Sequence, residues 1–338
     1  MRKHSLLSFY VKCVLISLPF ICLLVFYIVK DPFQVLRQYD DYDHNPVSQN
    51  EGCVSWIKYK RYRNVRHYDS FIFGNSCTKA YQSTDWLHYV SGSPLRMFAN
   101  NESLGGVEEK LEALDRQPRQ PVRNVLIVLE PSSFNYEHND FMHVMPPEVS
   151  HKSEISFQTE FLQGFFSPKF LGQYIRYTVF HCDPKKVRGA INVDLPNHTR
   201  YTNDAVLPQE RRIAAMGEAY WKQDFWKPIL SKKRYPKTLA PTVCNSTEQI
   251  ELLKNIHDIC KRHHTNLKVV ISPKITYEII NPNDVKVMRQ ILGPNTVYDF
   301  SSKEYFWMDD YHNFYDGGHY SRGLAKKILA VIYGYERK

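Results

Sequence analysis

The amino-acid sequence predicts an α/β domain with a parallel sheet between two layers of helices, preceded by one transmembrane helix. Three observations support this prediction. Val125–Leu129 is an uninterrupted apolar run, as expected for a strand buried on both faces of a sheet. Helix-like and strand-like segments alternate from Thr247 to Tyr335, which is typical of parallel sheets. Cys13–Val29 carries no charge, and its length is close to the roughly 17–25 residues that span a bilayer.

The residues around the apolar run predict its orientation. Arg2, Lys3 and Lys12 precede or begin the run, so the positive-inside rule keeps the N-terminus in the cytoplasm. Everything after Lys30 would then be extracytoplasmic, in a periplasm or outside the cell. No small-residue cleavage site follows the run, which favours an uncleaved signal anchor over a cleaved signal peptide.

Composition along the chain predicts three regions. Residues 1–30 form the cytoplasmic tail and anchor, and the polar, aspartate-rich residues 31–64 form a stalk or linker. Residues 65–338 form the main domain. From about 131 to 241 the alternation gives way to sequence rich in aromatics, His and Pro. We interpret that stretch as an insertion over the strand ends, where α/β proteins bind their ligands.

The spacing of apolar residues predicts the individual elements. Helices show apolar positions three or four residues apart, and buried strands show short continuous apolar runs. The predicted elements, in order, are strand Ser70–Phe73, helix Val107–Gln117, strand Val125–Leu129, helical segments Gln158–Tyr177 and Pro208–Lys222 in the insertion, helix Thr247–His264, strand Leu267–Ser272, helix Asp284–Leu292, strand Thr296–Phe300 and helix Ser321–Tyr335.

Charge and cysteine usage argue against several classes of function. The formal net charge is +9, but the Lys and Arg residues are scattered and no nucleic-acid-binding motif accompanies them. A basic surface near lipid headgroups is the better interpretation. Five of the seven cysteines lie outside the anchor without a Cys-x-x-Cys pair, so we expect no metal site, and we expect no cofactor.

The turn Gly74-Asn75-Ser76 is the first candidate for chemistry. A strand that stops at Gly and turns sharply exposes the next side chains at the carboxyl edge of the sheet. A serine there can reach a substrate, and its N–H can point at an oxyanion. By itself the pattern also fits a structural turn in which Ser76 caps the next helix.

The segment Asp316-Gly317-Gly318-His319 is the second candidate. Two flexible glycines let the carboxylate fold back towards the imidazole and hold its Nδ1–H, which leaves Nε2 to accept a serine proton. The alternative is a simple Asp-Gly-Gly turn followed by a helix cap.

At these two segments the sequence resembles the SGNH (GDSL-like) hydrolase superfamily. The family's first block is Gly-Asp-Ser or Gly-Asn-Ser after the first strand, and its last block is Asp-x-x-His near the C-terminus. The resemblance covers roughly Ser70 to Tyr335 and implies a three-layer, flavodoxin-like α/β/α fold. Within the superfamily the anchor and the Phe-Tyr-Asp-x-x-His-Tyr context are similar to membrane-anchored envelope acyl-transfer proteins. These include the D-alanyl transfer protein of teichoic acid modification and relatives in alginate acetylation.

The resemblance implies a role for each matching residue. Ser76 would be the nucleophile, His319 the base and Asp316 the acid that orients it. The N–H of Ser76 and that of Gly105 or Gly106 would form the oxyanion hole.

The sequence departs from the family at the third block. That block supplies an Asn after the next strand, whereas Glu130 stands near the place and Asn135 comes late. Asn75, Glu130 and Asn313 are candidate substrate contacts. Cys77 is a rival nucleophile, although a small buried hydrophobe is the better interpretation of it.

The resemblance implies a serine esterase or O-acyltransferase that acts on acyl groups of a cell-envelope or exported polysaccharide. The expected partners are an acylated polysaccharide or small acyl donor, the membrane lipid around the anchor, and a membrane-bound O-acyltransferase. The alternative is a non-catalytic SGNH-like domain that binds glycan or acts as a scaffold in an envelope complex.

Overall fold

The computed structural model of the protein describes residues 2–134, 143–187, 189–231, 238–240, 242, 244, 246–275 and 278–334. Asn135, and Tyr335 at the end of the last predicted helix, therefore lie outside the described residues. The chain forms two compact units. The first unit comprises Met1–Gln49 with Ser153–Leu195, and the second comprises Asn50–Lys152 with Pro196–Lys338.

The described residues form helices distributed along the whole chain and two β-sheets. The strands are β1 Ser70–Gly74, β2 Pro94–Phe98, β3 Asn124–Leu129, β4 Thr238–Leu239, β5 Asn266–Ile271, β6 Glu278–Ile279 and β7 Val297–Asp299. The α-helices are α1 Arg2–Lys30, α2 Glu51–Arg66, α3 Ser83–Trp86, α4 Leu104–Asp115, α5 Pro147–Ser150, α6 Glu154–Phe166, α7 Pro168–Thr178, α8 Pro208–Met216, α9 Lys227–Leu230, α10 Thr247–Arg262, α11 Pro282–Leu292 and α12 Arg322–Ile332. The 3-10 helices are Ser76–Ala80, Pro131–Phe134, Pro184–Val187, Gly217–Ala219, Asp224–Trp226, Lys303–Asp309 and Tyr311–Asn313.

The second unit is built on a five-stranded sheet in which every pair is parallel, in the order β2-β1-β3-β5-β7. Gly74 at the end of β1 pairs with Phe98 of β2 and with Val128 of β3, so these strands end together. The chain leaves β1 outward to β2 and then returns to the other side of β1. In open α/β sheets such a reversal, at the carboxyl edge of the strands, is the usual place for a ligand site.

Helices cover both faces of this sheet. Alternate side chains of each strand point to opposite faces. On one face Phe71 and Ile127 pack in a core cluster with Leu111 of α4, and the same cluster includes residues of α10 and α11. On the other face Ile72 packs in a second cluster with Leu324 of α12. The predicted α/β class with a parallel sheet is confirmed.

Gly74 ends β1 because no other residue fits there. Its φ is +125°, a conformation that side-chain-bearing residues rarely adopt. A Cβ at Gly74 would lie 2.0 Å from the main-chain oxygen of Val128. The close approach of β1 and β3 therefore requires glycine, and it directs the chain out of the sheet at Asn75.

One long helix and one strand of the main sheet are the largest elements of the second unit that were not predicted. Helix α2 occupies most of the second half of the range predicted as a linker, and its Trp56 and Tyr59 are buried in the core cluster that contains Phe71. The many Lys and Arg residues of α2 conceal this apolar face in the sequence. Strand β2 begins with a proline and contains Arg96, which interrupts its apolar run, yet all its residues are buried.

The predicted helical segments of the insertion are interrupted. Gln158–Tyr177 is divided into α6 and α7, because Ser167 is non-helical and Pro168 cannot donate a main-chain hydrogen bond. Pro208–Lys222 ends as an α-helix at Met216, since Gly217 takes a positive φ of 51°. The predicted insertion is also divided between the units, because 153–195 belongs to the first unit.

The first unit contains the predicted anchor. Ser8–Lys30 has a mean hydropathy of 2.5 and is long and apolar enough to cross a membrane, a property that an N-terminal signal sequence shares. The last turns of α1 pack against α6 and α7. The Tyr27 ring lies 5.0 Å from that of Phe165, and the Phe26 ring lies 5.7 Å from that of Tyr174.

Candidate active site

Ser76 is the first residue of the 3-10 helix that follows β1. The side-chain oxygen of Asn75 caps this helix by accepting the N–H of Cys77 at 2.9 Å. Ser76 is partly exposed, and its Oγ lies 2.7 Å from Nε2 of His319. The turn after the strand and the C-terminal segment, 243 residues apart, therefore meet as the sequence predicts.

His319 is held by Asp316 from its other side. The imidazole Nδ1 lies 2.9 Å from Oδ1 and 3.0 Å from Oδ2 of the carboxylate. Oδ1 also accepts the main-chain N–H groups of Gly318 and His319, both at 2.8 Å. Burial by itself raises the pKa of Asp316, but these hydrogen bonds and the imidazole outweigh burial, so the pKa lies below its usual value. The carboxylate therefore stays ionised and holds the Nδ1–H tautomer.

Aromatic residues order the segment Phe314–His319, here called the Asp-His loop, and sequence reasoning did not single out two of them, Tyr220 and Trp221. The Tyr315 ring stacks on the His319 ring at 5.6 Å and an interplanar angle of 3°. Tyr220 donates its hydroxyl to the Tyr315 carbonyl at 2.7 Å, and Trp221 donates Nε1–H to the Phe314 carbonyl at 3.1 Å. The only signal for Tyr220 and Trp221 in the sequence is the aromatic richness of the predicted insertion.

Asn75 and Glu130 bind each other, although the sequence suggested both as substrate contacts. Asn75 is 2% exposed, and its Nδ2 donates to Oε2 of Glu130 at 2.6 Å. Lys274, which sequence reasoning missed, places Nζ 3.3 Å from Oε1 of Glu130. Lys274 comes after β5 on the same edge, so a charged residue soon after a buried strand was its signal. These residues support the turn that carries Ser76.

The proposed oxyanion donors differ in availability. Gly106 donates its N–H to Oγ of Ser103, the N-cap of α4, at 3.1 Å, so this N–H is already engaged. Within the described part of the chain, the N–H groups of Ser76 and Gly105 have no hydrogen-bond partner. Helix α4 starts from the same sheet edge, since Ala99 donates to the carbonyl of Gly74 at 3.3 Å.

Asn313 precedes the Asp-His loop and forms hydrogen bonds on both sides of it. Its Nδ2 donates to the carbonyl of Met308 at 3.1 Å, and its own carbonyl accepts the N–H of Ser321 at 2.7 Å. This side chain is therefore occupied by the protein itself, as a residue that connects the loop to the cap of α12.

Cys77 is not placed as a nucleophile. The residue is 2% exposed, and its Sγ lies 3.8 Å from the carbonyl of Gly318. Burial raises the pKa of the thiol well above its usual value, with the charge of Glu130 acting in the same direction. A neutral thiol is a poor nucleophile, so Ser76 is the better candidate.

Among the residues that the structure describes, no group of three or more His, Cys, Asp or Glu side chains could hold a metal ion. Comparisons with protein-family models, with curated proteins and with solved structures find no match. When a hydroxyl contacts an imidazole that in turn contacts an ionised carboxylate, the imidazole can take the hydroxyl proton while the oxygen attacks a carbonyl.

Proposed function

We propose that the protein is a serine esterase or O-acyltransferase. The observation that carries the proposal is the continuous contact from Ser76 Oγ to His319 Nε2, at 2.7 Å, and from His319 Nδ1 to Asp316, at 2.9 and 3.0 Å. These distances lie within the range at which a base can take a proton from its nucleophile. Asp316 and His319, which flank a Gly-Gly turn, thus meet Ser76 from a distant part of the sequence. The three side chains contact one another in the order carboxylate, imidazole, hydroxyl that the reaction requires.

The reaction would proceed in two steps. Ser76 Oγ attacks the acyl carbonyl while His319 Nε2 takes its proton, and the resulting oxyanion accepts hydrogen bonds from main-chain N–H groups. The C–O bond to the leaving alcohol breaks, and that oxygen receives the proton from His319. Water or a sugar hydroxyl then loses its proton to His319 and attacks the Ser76 ester, which releases the acyl product and restores the serine.

The strand order and the two matching blocks support an SGNH-like form of the fold. The order β2-β1-β3-β5-β7 corresponds to the flavodoxin-like order 2-1-3-4-5, and Ser76 follows its first strand at the switch point. The departure at the third block remains, since Glu130 follows β3 where that family supplies an Asn. We include the anchored, extracytoplasmic orientation, the polysaccharide substrate and the membrane-bound O-acyltransferase partner in the proposal on the basis of the sequence resemblance.

The test uses two measurements on the full chain. The protein should react with a serine-directed fluorophosphonate probe and hydrolyse p-nitrophenyl acetate, and Ser76→Ala should abolish both. Ser132→Ala is the matched control, because Ser132 is an exposed serine that follows the neighbouring strand β3. Labelling that persists in Ser76→Ala, at the same rate as in the control, would overturn the assignment.

A non-catalytic, glycan-binding function is the second candidate, and Glu130 is the observation that favours it. An ionised carboxylate at that place cannot donate a hydrogen bond to an oxyanion. If the unsubstituted protein takes no fluorophosphonate but retains binding to an acylated glycan in a pull-down, this second function replaces the first.

A further inference from the structure

Lys79 lies on the same side of its helix as Ser76. Both residues belong to the 3-10 helix Ser76–Ala80, three positions apart. A 3-10 helix has three residues per turn, so side chains at positions i and i+3 eclipse each other. With a rise of about 2.0 Å per residue, their Cα atoms are separated by roughly 6 Å along the axis. The side chain of Lys79 therefore leaves the helix on the side that carries Ser76.

The ammonium of Lys79 is only partly satisfied by the protein. Nζ donates to Oδ1 of Asn100 at 3.2 Å and lies 5.4 Å from the centre of the Phe98 ring. Within the described ranges no carboxylate forms an ion pair with it. An ammonium has three N–H donors, so two remain for a ligand. Lys79 is also partly buried, which makes a charge-assisted hydrogen bond stronger than one at the open surface.

Charges of both signs lie near Lys79. Arg96 is completely buried and stacks on the same Phe98 ring at 4.0 Å. It donates to the main-chain carbonyl of Asn203 at 2.9 and 2.6 Å and to the hydroxyl of Thr78 at 3.5 Å. Burial lowers the pKa of Lys79, and the charge of Glu51 opposes this shift. Arg96 lowers the pKa further, and Asp316 acts in the opposite direction. Within the described residues, Glu51 lies against His198 and Asp316 against His319, and neither carboxylate contacts Lys79 directly. A bound anion would give Lys79 a negatively charged partner in direct contact.

We propose that Lys79 binds an anionic group, a carboxylate or a phosphate, of the molecule whose acyl group reaches Ser76. This inference rests on the proposed function, because it uses Ser76 as the acylation point. It specifies the substrate class: the acyl donor or acceptor is an acidic molecule, with its negative charge about one helical turn from the reacting carbonyl. A neutral glycan would leave the two N–H donors of Lys79 without partners.

The test compares esters that differ only in charge. Full-length protein is assayed with 3-acetoxybenzoate and with its neutral methyl ester, and 3-acetoxyphenyl phosphate is a third substrate that separates phosphate from carboxylate recognition. The measured quantity is the ratio of kcat/KM for the anionic ester to kcat/KM for the neutral one. A charge-assisted hydrogen bond of about 1.5 kcal/mol predicts that Lys79→Met lowers this ratio by about tenfold, mainly through KM.

Two further variants serve as controls. Lys79→Arg keeps the charge and should retain most of the ratio. Lys254→Met removes an exposed lysine from α10 and should leave both the ratio and the activity unchanged. A fall in Lys79→Met that is equal for the charged and the neutral ester would show a structural role for Lys79 and would overturn the inference.

A second measurement needs no substitution. Benzoate or inorganic phosphate should slow the fluorophosphonate labelling of the unsubstituted protein, and neutral benzamide should not. Equal protection by benzoate and benzamide would refute anion binding at the site. Failure of this inference is distinguishable from failure of the proposed function, because in the first case Ser76→Ala still abolishes labelling and in the second it does not.

Discussion

Asp316→Asn is the most direct perturbation of the candidate site. The substitution keeps the shape of the side chain and removes its charge. Oδ1 already accepts two main-chain N–H groups at 2.8 Å, so the amide oxygen of the new Asn is best placed there. Its NH2 group then takes the place of Oδ2, 3.0 Å from Nδ1 of His319. Two donors cannot face each other, so the imidazole is pushed towards the tautomer with its hydrogen on Nε2.

The expected loss of catalytic rate follows because this tautomer cannot act as a base towards Ser76. With hydrogen on Nε2, His319 donates to Ser76 instead of accepting its proton, and the imidazolium also loses the carboxylate that stabilises it. General-base catalysis contributes about 10²- to 10⁴-fold, and loss of the orienting acid alone can approach the upper figure. We therefore expect kcat for p-nitrophenyl acetate to fall by about 10²- to 10⁴-fold, with little change in KM, and the fluorophosphonate labelling rate to fall in parallel.

The chain offers a matched control shortly before the Asp-His loop. Asp310 contacts Nδ1 of His312 at 2.7 Å and accepts its N–H at 3.0 Å, but His312 faces Glu218 instead of a serine. Asp310→Asn therefore repeats the same chemical change in an Asp-His pair without a nucleophile and should alter kcat by less than about twofold. If the two variants lose activity equally, or if Asp316→Asn labels at the unsubstituted rate, the triad interpretation is refuted.

The same substitution predicts a pH dependence of stability. Because the pKa of Asp316 is lowered in the folded state, its charge stabilises the fold above the unfolded pKa of about 3.9, and this stabilisation is lost as the pH falls below that value. Asp316→Asn should therefore have a lower Tm than the unsubstituted protein at pH 7. The difference should shrink towards pH 3. A difference in Tm that stays constant over this range would show that the carboxylate charge contributes nothing.

Three further predictions concern the surroundings of the site. Gly74→Ala should lower the free energy of unfolding by more than about 4 kcal/mol or prevent folding, because the new Cβ meets a main-chain oxygen at 2.0 Å. The control Gly323→Ala in α12 should be neutral or slightly stabilising, and urea titration measures both variants. Cys77 should resist iodoacetamide at pH 8 in the folded protein, because the raised pKa of Cys77 keeps its thiol protonated. The more exposed Cys182 should react, and peptide mass spectrometry would distinguish the two. Tyr220→Phe should lower the free energy of unfolding by about 1–3 kcal/mol and reduce kcat, because it removes the 2.7 Å hydrogen bond to the Asp-His loop and leaves a buried carbonyl unpaired. An unaltered kcat would show that catalysis does not depend on this hydrogen bond.

Local signals in the sequence predicted much of the fold. The apolar run Val125–Leu129 became β3, and the periodic segment from Thr247 became α10. The prediction failed where tertiary burial overrides local composition. Helix α2 carries many cations around its buried aromatics. Strand β2 buries Arg96, whose guanidinium donates to a main-chain carbonyl and to the hydroxyl of Thr78. No pattern within a short window indicates that such charged segments enter a core.

The site was predictable to the extent that its chemistry lies in short motifs. Ser76 and the Asp316–His319 pair were found because a Gly turn and a Gly-Gly spacer indicate their geometry. Lys274 was missed because its role depends on strand order: only the adjacency of β3 and β5 brings its Nζ to within 3.3 Å of Glu130. Gly106 was misjudged because a sequence does not show that Ser103 will take its N–H as a helix cap.

The departure at Glu130 changes how an oxyanion could be stabilised at this site. An Asn after β3 could donate a side-chain N–H, but a carboxylate that accepts from Asn75 and pairs with Lys274 cannot. Under the proposed function, the donors that remain would be the main-chain N–H groups of Ser76 and Gly105, each at the start of a helix, where the backbone supplies unpaired N–H groups. Glu130 would then act indirectly, by holding the turn that orients the first of these donors, and the strength of the oxyanion hole would depend on the rigidity of that turn.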